Sequence, residues 1–242
     1  MSPKLRGALF YPVFYLSMAA AGLIGLIPAA VSSRAALAVA NLWLRFAFLA
    51  LRVIGGVRRE VRGAVPQGRV VVAAKHQSML DVFMLHAALP HARFVMKREL
   101  TRAPVFGFYA LRMGAVPVDR GGGGTAMREM VARMTDGRGS QLVIYPQGTR
   151  VAPGHHKPYK VGVHALYDAT GLACVPVATN AGLLWPKGLA IHPGVAVLSF
   201  LDPIPPDMPR EPFMAALESE IEAETARLAE ETRRARGGTV RP

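Results

Sequence analysis

Val70-Val71-Val72-Ala73-Ala74-Lys75-His76-Gln77-Ser78-Met79-Leu80-Asp81 is the stretch that decides how this chain folds. Its first five residues form an apolar run of strand length, and the residues after the polar step turn to helical periodicity. A buried strand running into a helix is the unit of an α/β sheet, and ligands and catalytic groups collect at the carboxyl ends of such strands. His76 and Asp81 lie five positions apart, about 140° around a regular helix, so they share no face if both are helical. With His76 just before the helix and Asp81 in its first turn, the two side chains can meet. The carboxylate then holds one ring nitrogen as N–H and leaves the other free to take a proton from a hydroxyl. Ser78 to Asp81 reads equally as a capping box, with Ser78 as N-cap and Asp81 reaching back to its N–H. Both roles fit one carboxylate, which has two oxygens and about four lone-pair sites. Ser78 lacks the Gly-x-Ser-x-Gly elbow of a nucleophilic serine.

Working outward, short β-rich runs alternate with amphipathic ones from about residue 66. Strands are expected at 69–74, 93–96, 115–118, 141–145, 173–178 and 195–200, and helices at 79–89, 104–111, 125–135 and 162–170. A last helix, 211 to about 234, puts Met214, Leu217, Ile221 and Leu228 on one face and most of its glutamates elsewhere, as a covering helix does. The strand over 141–145 runs into Pro146-Gln147-Gly148-Thr149-Arg150. Gly148 permits close backbone approach, Thr149 offers a hydroxyl, and Arg150 presents a planar fork suited to phosphate oxygens. In isolation the same segment is an ordinary Pro-x-Gly turn. Lys97 in Phe94–Leu100 and Arg120 closing Gly114–Arg120 read singly as solvated surface charges. The glycine run Gly121–Gly124 is not followed by Gly-Lys-Ser/Thr and reads as a connector.

Toward the N-terminus, Ala8–Ser33 carries no charged side chain over 26 residues, flanked by Lys4 and Arg6 before and Arg34 after. As a helix it is about 39 Å long, enough to span a bilayer core of about 30 Å or to lie in the interface. Pro12, Gly22, Gly25 and Pro28 argue against one straight rod. Ala35–Ile54 follows, with Leu42, Arg45, Leu49 and Arg52 on one face and Trp43, Phe46, Ala47 and Ala50 on the other; an arginine at mid-bilayer is costly, which favours an interfacial helix. A cleaved signal peptide is the alternative for residues 1–30, but its apolar core is typically about 7–15 residues. The chain thus divides into an anchor over 1–60, a spanning or interfacial helical hairpin, an α/β domain over 61–236 and a flexible tail over 237–242.

Composition agrees. The 242 residues are 51% hydrophobic and 19% charged, which excludes a disordered chain, and Lys and Arg number 29 against 16 Asp and Glu. The net charge of +13 seeks phosphate, and residues 1–70 hold nine basic residues against Glu60 alone, as expected of a segment meeting an anionic membrane. No basic stripe interleaved with aromatics supports nucleic-acid binding. Cys174, the single cysteine, sits in a strand-like run and reads as a buried apolar residue; His155 and His156, without carboxylate or thiol partners, do not make a metal site.

In this order the blocks resemble the glycerolipid acyltransferases of the 1-acyl-glycerol-3-phosphate acyltransferase type, over residues 66–205. His76 and Asp81 match that family's His-x4-Asp, Lys97–Leu100 its Lys-Glu-Leu-like block, Gly114–Arg120 its Gly-to-Arg block, and Tyr145–Arg150 its Phe-Pro-Glu-Gly-Thr-Arg block. Val175-Pro176-Val177 matches its proline-containing apolar block. Gln147 stands where the family has Glu, Lys75 where it has Asn, and Met79 where Trp is common. Lys75, if close to His76, disfavours an imidazolium. The resemblance implies a mixed sheet flanked by helices with a membrane-associated hairpin. It also implies transfer of a fatty acyl group from acyl-CoA or acyl carrier protein to the sn-2 hydroxyl of 1-acyl-glycerol 3-phosphate, giving phosphatidic acid. His76 is then the general base and Asp81 its orienting partner. Arg120 and Arg150 hold the acceptor phosphate, Gly148 and Thr149 shape the turn, and Lys97 assists. A thioester is already activated, so no cofactor, metal or acyl-enzyme is required. The expected partners are a lysophospholipid, the acyl donor and an anionic membrane, at the cytoplasmic face of the inner membrane. The rivals are the same chemistry on another lysolipid, such as a lyso-ornithine lipid, and a non-catalytic protein that binds anionic membrane.

Overall fold

The computed structural model describes residues 1–89, 91–119, 122–136 and 141–237. Helix α1 (Pro3–Ile24) begins behind Ser2, whose hydroxyl accepts from the Leu5 N–H, and carries Pro12 without breaking. It stops at Gly25, and a short α2 (Leu26–Val31) turns the chain into α3 (Ser33–Ala50), which ends in a π-helical turn at Leu51–Gly55. The apolar stretch is therefore interrupted among its glycines, as expected, and α1 and α3 form the hairpin. The arginine face of α3 is exposed and Ala47 and Ala50 are buried, but Phe46 is exposed and Leu44 and Phe48 take the inner positions.

Strands β1 (Val57–Arg62), β2 (Val70–Ala74), β3 (Arg93–Lys97), β4 (Val116–Val118), β5 (Gln141–Ile144), β6 (Cys174–Thr179) and β7 (Gly194–Phe200) form one sheet in the order β1-β7-β6-β2-β5-β3-β4. Neighbours run parallel except β6 and β7. β1 belongs to the sheet and starts at Val57, so the α/β unit begins there and not at the expected residue 61. Its Val-Arg-Arg-Glu-Val-Arg sequence buries one residue fully, as suits a charged edge strand.

Alternation along the strands splits the core in two. Val72, Ala74, Val143, Val175 and Val177 face the hairpin, α4 (Met79–Ala88) and α8 (Ala181–Leu184). Val71, Ala73, Leu142, Ile144 and Cys174 face α6 (Gly123–Met134), α7 (Gly162–Thr170) and α9 (Arg210–Gly237). The remaining helix, α5 (Phe106–Arg112), follows a 3-10 turn at Arg98–Arg102 and meets the hairpin's bend: Tyr109 donates to the Gly22 carbonyl and Arg112 to that of Ala29. The hairpin thus lies along the domain over its whole length. Phe10 and Phe14 are fully buried, and a side chain at Gly7 would place its Cβ 1.5 Å from the Leu189 carbonyl oxygen. α9 covers the other face through Phe213, Leu217 and Ile221. The tail from 238 lies outside the described residues.

Candidate active site

Because β2, β3, β4, β5 and β6 are mutually parallel, their carboxyl ends share one edge, and the chain segments leaving β2, β5 and β6 meet there. His76 follows β2 with the parity of Val72 and Ala74, so its ring turns to the hairpin side. Its Nδ1 lies 2.8 Å from Asp81 Oδ1. The other carboxylate oxygen accepts the N–H groups of Gln77 and Ser78 at 2.8 and 2.7 Å. The capping reading and the catalytic reading are both realised in one carboxylate, which is fully buried. Since Asp81 accepts only, Nδ1 carries the proton and Nε2 presents its lone pair; the His76 side chain keeps 13% of its surface exposed, enough to be reached. Ser78 accepts from Leu80 N–H and donates its hydroxyl to the Trp185 carbonyl at 2.6 Å, fixing the start of α4 against the segment after β6. It is a cap, not a nucleophile.

The segment after β5 is locked to this histidine. The Val151 N–H donates to the His76 carbonyl at 2.8 Å, the Gly148 N–H to that of Tyr145 at 2.9 Å, and the Lys160 N–H to that of Pro146 at 2.9 Å. Gly148 has φ +66°, and an added Cβ would press on the Lys160 stem at 3.3 Å, so this turn favours glycine twice over. The turn carries half-buried Thr149 and exposed Arg150 just ahead of Val151, whose N–H ties the segment to His76. Tyr145 lies under His76, ring centroids 4.1 Å apart and planes 26° from parallel. Its hydroxyl is buried close to Asp81; burial, and then the Asp81 carboxylate, push its pKa far above the ordinary phenol value, so it stays protonated. Gln147 is buried and donates to the Lys157 carbonyl at 3.2 Å, while its own carbonyl oxygen is unpartnered among the described residues.

The remaining residues singled out in the sequence fare differently. Lys75 points to the opposite face of the sheet, where its buried ammonium meets Glu222 of α9 at 2.5 and 2.7 Å; it does not bear on the His76 ring. Tyr159 donates to the same carboxylate at 2.9 Å. Lys97 ends β3, which β5 separates from β2, so it stands about 9.5 Å to the side at the usual strand spacing. It shares the parity of Val95, away from the His76 face, and pairs with Glu99 at 3.1 Å. Arg120 and Gly121 lie outside the described residues, although β4 brings the chain to the same edge at Val118. Cys174 is buried in β6, where desolvation pushes its thiol up to about 12. His156 bonds to Glu218, and the described residues contain no group of three or more potential metal ligands. Sequence reasoning passed over Tyr145, Lys160, Trp185 and Lys187; of these only Tyr145 gave a signal, by adjoining the Gly-Thr-Arg block.

A family model described as Acyltransferase matches residues 58–180. The chain is 35% identical over 157 residues to the 1-acyl-sn-glycerol-3-phosphate acyltransferase of Pseudomonas aeruginosa, covering 63% of this chain and 61% of that one. It is 31% identical over 144 residues to the human 1-acyl-sn-glycerol-3-phosphate acyltransferase alpha, covering 57% and 51%. The matches therefore span between half and three fifths of these relatives. Among solved structures, the 1-acyl-sn-glycerophosphate acyltransferase PlsC of Thermotoga maritima superimposes with a TM-score of 0.75 at 22% identity, over 93% of this chain and 98% of that one, which establishes the shared fold.

Proposed function

The chain belongs to the acyltransferase family, and from that premise we propose that it moves a fatty acyl group from a thioester of coenzyme A or acyl carrier protein to the sn-2 hydroxyl of 1-acyl-glycerol 3-phosphate. The observation that carries the reading is the His76–Asp81 pair, 2.8 Å apart at the rim of the sheet with Nε2 left as the acceptor. Nε2 takes the hydroxyl proton as the oxygen attacks the thioester carbonyl. Asp81 stabilises the imidazolium, the C–S bond breaks, and the imidazolium returns its proton to the leaving thiolate. Arg150 and Arg120 supply the cations for the acceptor phosphate, with Gly148 and Thr149 shaping the turn; Lys97, turned away from the His76 face, is assigned only supporting charge. The activity for which the relatives are named supports this acceptor, whose acylation gives phosphatidic acid.

The anchor supports a membrane site. Leu9, Leu16, Ile24, Ile27 and Leu42 are exposed on the hairpin, while its bend is held by α5; this favours a hairpin lying in one leaflet over one that spans, and the membrane proposed is the inner membrane at its cytoplasmic face. Purified protein given lysophosphatidate and labelled acyl-CoA or acyl carrier protein is expected to form phosphatidate. His76→Ala is expected to lose about 10²–10⁴ in rate while still floating with vesicles. Near-full turnover by that variant overturns the reading, and lipid binding with no turnover in the unsubstituted protein supports the non-catalytic rival instead.

A further inference from the structure

At the start of α4, where Met79 follows the capping box, α1 and the segment after β6 line a cavity of about 270 Å³. Tyr11 and Tyr15 of α1 form one wall, Met79 at the start of α4 another, and Arg150, Trp185 and Lys187 the remainder. Among the described residues two cations and no carboxylate line it. Arg150 and Lys187 are both exposed, and Lys187 is held near Arg150 by donating to its backbone carbonyl at 3.4 Å. The aromatic wall is fixed. The Tyr11 hydroxyl donates to the Gly188 carbonyl at 2.6 Å and accepts from Trp185 Nε1 at 2.8 Å, and Tyr15 stacks on Tyr11 with ring centroids 6.0 Å apart.

We infer that Lys187 is a further specificity-determining residue for the acceptor: in this cavity it joins Arg150 on the phosphate monoester of a single-chain glycerolipid, with helix α1 as the wall against the glycerol. The inference rests on the proposed acyl transfer and adds to it a residue and an element outside the recognised blocks. Three features select the ligand. Paired cations without an acid suit a dianionic monoester, whereas a zwitterionic or cationic head leaves one cation unmatched or repelled. Met79 is one residue from Ser78 and three from His76, so a phosphate here leaves the adjoining glycerol hydroxyl near the dyad. Tyr15 of the lining is 49% exposed and its neighbour Leu16 71%, so apolar surface of α1 adjoins the cavity, which suits an acyl chain and does nothing for a water-soluble phosphate ester.

Two readouts test this. In turnover, Lys187→Gln is expected to raise KM for lysophosphatidate about tenfold at nearly unchanged kcat, with Lys187→Arg restoring most of it and lysophosphatidylcholine use unaltered. Arg133→Gln, which removes an equal charge from α6 on the other face of the sheet, is expected to leave KM in place. In binding, calorimetric titration of the His76→Ala variant with lysophosphatidate in detergent is expected to weaken about tenfold when Lys187→Gln is added, and glycerol 3-phosphate is expected to compete poorly. Unchanged KM and unchanged affinity in Lys187→Gln overturn the subsite, as does an equal shift for lysophosphatidylcholine. Tight competition by glycerol 3-phosphate overturns the lipid assignment. Failure of the acyl-transfer reading is distinct: the unsubstituted protein then forms no phosphatidate, while the binding comparison still decides the subsite.

Discussion

Asp81 closes the first turn of a helix and orients a histidine with the same carboxylate, and each oxygen has its own task. Oδ2 takes two backbone N–H groups, which hold the carboxylate in place, and Oδ1 faces Nδ1 of His76. The two tasks separate in Asp81→Asn. The amide oxygen can still cap the helix, but the amide N–H then meets Nδ1, which forces the imidazole to protonate Nε2 and removes the base. We expect a rate loss approaching 10⁴, the scale seen when a triad carboxylate is made an amide, with a melting temperature close to that of the parent; acyl transfer and thermal unfolding measured on one preparation check both. Retained turnover with a lost helix cap would reverse the assignment. Tyr145 adds a buried, protonated phenol stacked on the His76 ring, so one face of the imidazole is covered by aromatic surface. Local residues carry this much of the site, and it was legible: five positions separate His76 from Asp81, and the cap dictates where the chain leaves β2. The Lys75–Glu222 pair was not, because its partners are 147 positions apart and nothing in the pattern of α9 marks which glutamate turns inward.

Among the elements, β2, β3, β5, β6 and β7 announce themselves as apolar runs bounded by polar, Gly or Pro residues. β1 does not, since its four exposed positions leave no run to see, and α8 is too short to show a period. The contact between α3 and α4 carries a pH-dependent term. His86 of α4 donates Nε2–H to the Asn41 side-chain oxygen of α3 at 3.1 Å, and burial lowers its pKa. A depressed folded value means the unfolded chain binds the proton first. The neutral ring therefore stabilises the fold fully above the ordinary histidine value of about 6.5, and that stability is lost as pH falls below it. Thermal unfolding in detergent is expected to drop in midpoint between pH 7 and pH 5.5, and His86→Gln, which keeps a donor for Asn41, is expected to flatten the drop. An identical slope in both proteins would remove His86 from the account.

At the scale of the molecule the hairpin is part of the core as well as the route to the membrane. Phe10, Phe14, Leu44, Phe48 and Leu51 are buried against the sheet, each contributing about 1.5–3 kcal/mol by burial. Together that is comparable with the whole stability of a domain, about 5–15 kcal/mol. Deleting residues 1–56 is therefore expected to give a chain without cooperative unfolding, and not simply a soluble enzyme; a sharp unfolding transition in the truncated protein contradicts this. By itself the sequence determined the alternating α/β order, the apolar hairpin, the dyad and the Gly-Thr-Arg turn, because each is written in contacts or periodicities within a few residues. Only the tertiary structure decided that Lys75 and Lys97 face away from His76, that Lys187 stands beside Arg150, and that α1 walls the site. Those outcomes follow from strand order and side-chain alternation across a sheet whose neighbours are far apart in the chain.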